Sequence, residues 1–445
     1  MRTLVAGLVL AFFPGPAPAS IDTYLDQALN ATGLPGVSVV VTRGGEIVHA
    51  TGAGHDAHGD AVTENTPMRV ASVSKSFTAA AVMTLVEDGR VGLDDEVHDH
   101  LPQLPPRITV RRLLNQTSGI SDASVDIGQL TGARTLAEYV DLLRPVDAAE
   151  PGTRFAYSNV NYNVAARLVE VVSGQPYEDY LRQNVFEPLG MHDSRAGGDA
   201  PNGFNSLCGI WLDRPELGDG PAVGGSGTVI TTAHDMGRWL VAQNGHGPFA
   251  TESLAAMHGP SDVHDYGMGW QPDNNGMLVH SGNLWTYNAI QAIDPESGHG
   301  YAVMTNGAGV VDDTGTILAG LIALSRGETP ARPGSSRQLV EWVLAAIGLL
   351  AVALGVLGVV RARRWARRRS PRHPWLTVAR LVVVALPAVL FVLYPQVVSF
   401  VSSGRTVLWA QLWYFALPVT VTLTAAALAG IAVLTARVVR LVSVR

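Results

Sequence analysis

"RVASVSKSFTAA" runs from Arg69 to Ala80 and holds Lys75, the single lysine of a 445-residue chain whose thirty other basic side chains are arginine. Ser72 lies three positions before it. That spacing puts both side chains on one face where the chain enters a helix. A serine hydroxyl is a weak nucleophile until a neighbour removes its proton. A neutral amine can do so; a guanidinium cannot, because it does not deprotonate in proteins. A requirement for a base therefore explains lysine at this one position. Bringing a lysine from about 10.4 to about 7 takes roughly 4.6 kcal/mol, which burial and nearby positive dipoles must supply. The helix N-terminus contributes part of it. The alternative is a charged Lys75 that depresses a tyrosine, which then takes the proton.

Two further stretches carry chemistry. "FAYSNVNYNVAARLVEVVSG" places Tyr157, Ser158 and Asn159 just before a helix. Functionally, Tyr157 reads as a phenolic acid or base, and Asn159 as an amide contact to substrate or Lys75. Structurally, Ser158 or Asn159 reads as an N-cap and Tyr157 as core. "MLVHSGNLWTY" offers His280, Ser281 and Gly282 leading into Asn283. Gly282 lets a backbone approach closely; His280 alone also reads as an ordinary strand histidine. The other histidines show no metal spacing, His55 and His58 lying in a Gly-rich turn.

These elements, in this order, resemble the serine β-lactamase and penicillin-binding protein superfamily, most closely its class C-like branch. The resemblance runs over about residues 21–310 and includes "RVASVSKSFTA", "ITVRRLLNQTSGI", "GGSGTVITTAHDMGRWL", "YGMGW" and "VHSG". It implies an α/β (α+β) domain, an antiparallel sheet flanked by helices with a helical subdomain and the site between them. It implies Ser72 as the acylated nucleophile, and Lys75 and Tyr157 as proton-transfer partners. Asn159 becomes a substrate contact, and the backbone N–H groups of Ser72 and Asn283 an oxyanion hole. No metal or cofactor is implied. Two departures stand out. His280 replaces the lysine usual in the branch, which weakens the grip on a substrate carboxylate and leans the reading toward ester or other amide substrates. Activity is then expected to follow the charge of His280. Asn161 and Thr286 stand where many relatives carry glycine.

Coarse patterning agrees with a mixed fold. Helices are expected over Asp22–Leu29, Phe77–Glu87, Val160–Val172 and Asp235–Gln243. A hairpin turns at Gly44-Gly45. Strands over Tyr287–Ile293 and Gly300–Asn306 close the domain, so the first and last strands are expected to meet.

Charge splits the chain. Residues 1–328 carry 17 basic and 37 acidic side chains, whereas residues 329–445 carry 14 arginines and one acid, Glu341. An acidic first part argues against nucleic acid as a partner. The lone cysteine, Cys208, permits no internal disulfide and reads as a small apolar residue. Residues 1–19 read as an export signal cleaved after Ala19. The hydrolase domain then covers 20–328, a Pro/Gly/Ser-rich linker 329–338, and a membrane region 339–445.

Three uncharged runs, Trp342–Val360, Leu381–Val401 and Thr406–Ala436, predict three transmembrane helices at about 339–360, 378–401 and 407–436. The third run exceeds one span, so tilt or an interfacial end is expected. Seven arginines lie in Arg361–His373, while the next loop has only Arg405. The positive-inside rule puts the arginine-rich loop and the C-terminus in the cytoplasm and the first domain outside. The expected partners are a small-molecule or peptide substrate and the lipid bilayer; protein partners stay open. The leading reading is a membrane-tethered serine hydrolase. A sensor that acylates without turnover is the second; a transporter is weak, because the spans lack central charges.

Overall fold

The computed structural model describes residues 20–143, 146, 148–217, 224–334, 336–368, 374–402 and 405–443. The export signal expected at 1–19, and the end of the arginine-rich loop at 369–373, lie outside the described residues.

"GVSVVVTR", Gly36–Arg43, is buried at every position but the last. An antiparallel strand reads this way only when both faces are covered. Val37, Val39 and Val41 pack with Tyr24, Leu25 and Leu321, from helices Ile21–Thr32 and Thr314–Ser325. Val40, pointing the other way, joins a larger core with Met236, Trp239 and Phe77. The six-stranded sheet runs in the order Glu46–Gly54, Gly36–Arg43, His299–Thr305, Asn288–Asp294, Leu278–Asn283, Gln271–Pro272. Gly36–Arg43 pairs antiparallel with His299–Thr305, Val39 facing Val303. The first and last long strands of the domain therefore do meet, and the first hairpin turns at Gly44-Gly45.

Helix Ser74–Glu87 is entered through a 3-10 turn, Ala71–Val73. It is buried almost all round, between the sheet and helix Asn159–Ser173 of the helical subdomain. The side chain of Ser158 caps the latter helix by accepting from Val160 N. Gly174, at φ 75°, ends it by donating to Glu170 O, a left-handed position that favours glycine.

Among the described residues, three helices beyond the domain are long and apolar enough to cross a membrane: Ser336–Val360, Trp375–Val392 and Leu417–Ser443. Their outward faces carry exposed Leu349, Val360, Val383 and Leu428. Where the first and third cross, a Cβ on Gly355 would come within 2.7 Å of the Ala429 Cβ, the close approach small residues allow. Thr422 Oγ1 donates across to Leu344 O at 3.0 Å. The third uncharged run divides: a short helix, Trp409–Leu412, precedes the long one. The segment from 405 to 416 folds over the end of the bundle, around Tyr394, Leu412 and Ala416.

The first long helix is docked on the domain at its start. Arg337 and Glu341 are fully buried and paired at 2.9 Å. Arg337 also donates to Thr32 O and Ser206 Oγ, and Glu341 accepts from Gly209 N at 2.8 Å.

Candidate active site

Ser72 sits in the 3-10 turn, half-buried and open to solvent. The residue before it, Ala71, has φ 50°. A left-handed alanine is strained, and such strain gathers at functional sites. One turn on, Lys75 is fully buried. Its Nζ lies 2.9 Å from Ser72 Oγ, 2.8 Å from Asn159 Oδ1 and 2.9 Å from Ser226 O. Two of these partners can only accept; the hydroxyl can also donate. A neutral amine has two N–H groups and one lone pair, so it satisfies all three, with Ser72 donating its proton toward nitrogen.

Electrostatics agree with that count. Burial, then the charge of Arg405, push the Lys75 amine well below the usual lysine range, against an opposing pull from Asp122. Burial raises the Tyr157 phenol, while Ser72 and Arg405 act the other way. Both shifts favour neutral groups: an amine that can accept and a phenol that can donate. Lys75 Nζ stands 4.9 Å from the Tyr157 ring centroid.

The helix after Ser158 builds the cage. Asn159 and Asn163 are one turn apart and share a face. Asn159 holds Lys75 directly; Asn163 Oδ1 accepts from Ser226 N at 3.1 Å, fixing the carbonyl that also holds Lys75. Asn161 points elsewhere: it accepts from Ser118 Oγ and donates to Gln116 Oε1, both at 2.6 Å. Its departure from glycine thus ties down the Asn115–Ser118 loop. Thr286 is also buried, with Oγ1 donating to Glu216 at 2.6 Å.

The strand Leu278–Asn283 forms the opposite wall. A Cβ on Gly282 would stand 3.0 Å from Ser72 N and 2.9 Å from Ala71 Cβ, and would strike the Val70 carbonyl. Only a bare backbone fits. Leu284 N donates to Tyr287 O, so by antiparallel alternation the Asn283 amide turns away from the neighbouring strand, toward the Ser72 turn. The Asn283 side chain donates to Asn288 Oδ1 and Asp312 Oδ2. Ser281 is exposed beside it.

His280 corrects one expectation. It is buried, with Nδ1 2.7 Å from Ser281 O and Nε2 3.0 Å from Tyr266 Oη. Nδ1 therefore carries the proton and Nε2 accepts from the tyrosine. Burial, aided by Lys75, lowers its pKa to about 3. The ring is neutral at any ordinary pH and brings no charge to the site.

All eight residues singled out in the sequence converge here. The sequence reading missed Ser226, Asn163, Tyr266 and Arg405. Ser226 and Tyr266 lie in "GGSG" and "YGMGW", stretches already marked by the resemblance; Asn163 falls one turn after Asn159. Arg405 was visible as the single charge between the second and third apolar runs.

The site lies between an antiparallel sheet and a helical subdomain, the arrangement of β-lactamases and penicillin-binding proteins. The Beta-lactamase family model matches residues 21–324, and the chain belongs to that family. It is 26% identical over 321 residues to Protein flp of Staphylococcus aureus, covering 64% of this chain and 62% of that protein. It is 32% identical over 246 residues to penicillin-binding protein 4 of Amycolatopsis lactamdurans, covering 50% of this chain and 63% of that one. The chain thus spans less than two thirds of these curated relatives. Among solved structures it is similar to the octameric penicillin-binding protein homologue of Pyrococcus abyssi, with TM-score 0.60 and 26% identity over 70% of this chain and 78% of that one. The D-amino acid amidase of Ochrobactrum anthropi gives TM-score 0.57 and 26% identity, over 65% and 91%.

Proposed function

We propose that the chain is a membrane-anchored serine hydrolase whose domain faces out of the cytoplasm and works through an acyl-enzyme on Ser72. The observation that carries this reading is the lone lysine, fully buried, with its amine 2.9 Å from a solvent-open serine hydroxyl. Neutral Lys75 takes the Ser72 proton as Oγ bonds to the substrate acyl carbon. Negative charge moves to the carbonyl oxygen, between the N–H groups of Ser72 and Asn283. The leaving group departs with a proton relayed from Lys75 through Tyr157. Water then attacks the ester, giving up its proton to the same pair, and Ser72 is restored. No metal or cofactor takes part.

Substrates are D-amino-acid peptides or amides, esters or β-lactams. The likeness to a D-amino acid amidase and to penicillin-binding proteins supports that class. The arginine-rich loop between the first two apolar helices supports a cytoplasmic side there. The bilayer is the second partner, and nucleic acid is not one. Ser72→Ala is expected to abolish hydrolysis of an ester, a D-alanyl amide and a chromogenic cephalosporin alike. Unchanged turnover of all three would end this reading. Contact between the domain and the last apolar segment favours a second reading, a sensor that acylates without turnover. A stable Ser72 adduct after penicillin, seen by mass spectrometry with no product released, would select it.

A further inference from the structure

The segment between the second and third apolar helices does not hang free. Arg214 of the domain donates to Trp413 O and to Asn205 Oδ1, and its guanidinium lies 3.6 Å from the Tyr414 ring centroid. Trp285 packs on Phe415 at 5.9 Å between ring centroids. Trp285 is two residues past Asn283, at the turn of the hairpin that forms one wall of the site, and Glu216 holds that turn through Trp285 N. The segment is also braced internally: Val407 N donates to Ser399 Oγ at 2.9 Å and Leu408 N to Gln411 Oε1 at 2.8 Å.

This scaffold carries Arg405 to the site. Its guanidinium stands 5.5 Å from the ring centroid of Tyr157, the same ring that Lys75 approaches at 4.9 Å. Arg405 is exposed, and among the described residues no carboxylate pairs with it. A guanidinium stacked on an aromatic ring keeps its N–H edges free for an oxyacid. The strand that would ordinarily present a cation offers neutral His280, closed off by Tyr266 and Ser281.

We infer that Arg405, supplied by the membrane segment, is a specificity residue of the active site, binding a carboxylate on the substrate beside the acyl group that Ser72 attacks. This rests on the proposed Ser72 hydrolase. The second and third apolar helices then have a purpose, because they hold the substrate's anion anchor against the domain. Arg405 also adds to the positive field that keeps Lys75 neutral.

The test uses the full chain in detergent or bilayer discs. Two activated esters serve as probes, mono-p-nitrophenyl glutarate, which ends in a carboxylate, and its methyl ester, which does not. The readout is the ratio of their kcat/KM values. For Arg405→Gln the ratio of acid to methyl ester is expected to fall about tenfold, the worth of one charge-assisted contact. Arg405→Glu is expected to lower it further, and Arg405→Lys to restore most of it. A ratio within about twofold of wild type in both Gln and Glu variants, whether or not the absolute rates drop, overturns the inference. In that event Ser72→Ala still separates the two claims. If it abolishes turnover of both esters, the hydrolase stands and only the role of Arg405 falls. If neither ester needs Ser72, both fall together.

Discussion

Helix Ser74–Glu87 and helix Ser336–Val360 each carry one basic side chain near the start and an apolar run after it. They use that composition in opposite ways. The first is sealed inside protein: Lys75, Ser76, Phe77, Thr78 and the alanines after them are all buried. Each buried polar group has a partner, Ser76 Oγ donating to Val73 O and Thr78 Oγ1 to Gly225 O. In the second the buried residues are Arg337, Glu341, Gly348 and Gly355, while its leucines and valines face outward. An apolar sequence thus says that water is excluded, not what excludes it. Where protein surrounds the helix, a buried base becomes chemistry. Where lipid is to surround it, the buried charges serve as a dock and the glycines as contact points.

The largest expected effect breaks the first half of this contrast. Lys75→Arg puts a fixed cation in place of the neutral amine and removes the base, and should lower acylation by about a thousandfold or more. Stopped-flow release of p-nitrophenolate measures it; a loss under tenfold would remove Lys75 from proton transfer. Next comes Gly282→Ala, which puts a Cβ into the Val70 carbonyl and against Ser72 N. Displacing an oxyanion donor should cost about a hundredfold in kcat.

The docking pair tests the second half. Glu341→Ala leaves buried Arg337 with the longer Asp313 contact, at 3.7 Å, as its remaining carboxylate among the described residues. Breaking a buried pair costs about 3–5 kcal/mol, visible as a lower Tm in detergent. Leu349→Ala on the exposed face of the same helix should cost far less, and equal losses would deny the difference between the faces.

A smaller effect concerns pH. His280 and His258 have folded pKa values of about 3 and about 4, against about 6.5 unfolded. Between these limits the unfolded chain binds more protons. Stability is therefore complete above about 6.5 and declines as pH falls toward the folded values, by about 1.4 kcal/mol per pH unit for each histidine. Thermal unfolding at pH 7 and pH 5 should show it, and His280→Asn should reduce the slope. The smallest expected change is in the position of the acid limb of the pH–rate profile. The proposed mechanism assigns that limb to Lys75, not His280, so His280→Asn should leave its position in place. A shifted limb would return the charge of His280 to the mechanism.

Much of this was legible in residues alone. Ser72 with Lys75, and Tyr157 with Asn159, are close within each pair through helical spacing or a short turn, which local geometry dictates; the meeting of the two pairs, across 84 positions of chain, is tertiary. Gly282 was readable because a bare backbone at a strand end signals close approach. Gly44-Gly45 between β-branched runs signalled the first hairpin; burial of both faces of Gly36–Arg43 came from the fold.

What sequence determined is a set of local requirements: one base where no arginine would serve, three stretches too apolar for water, and a charge asymmetry between them. Tertiary structure alone decided the protonation of His280, because neutrality there comes from being buried beneath Tyr266, fourteen residues earlier. It alone brought Arg405 to Tyr157, across 248 positions of chain. Desolvation and Coulomb interactions depend on distance in space, and no pattern along the chain encodes which distant side chains become neighbours.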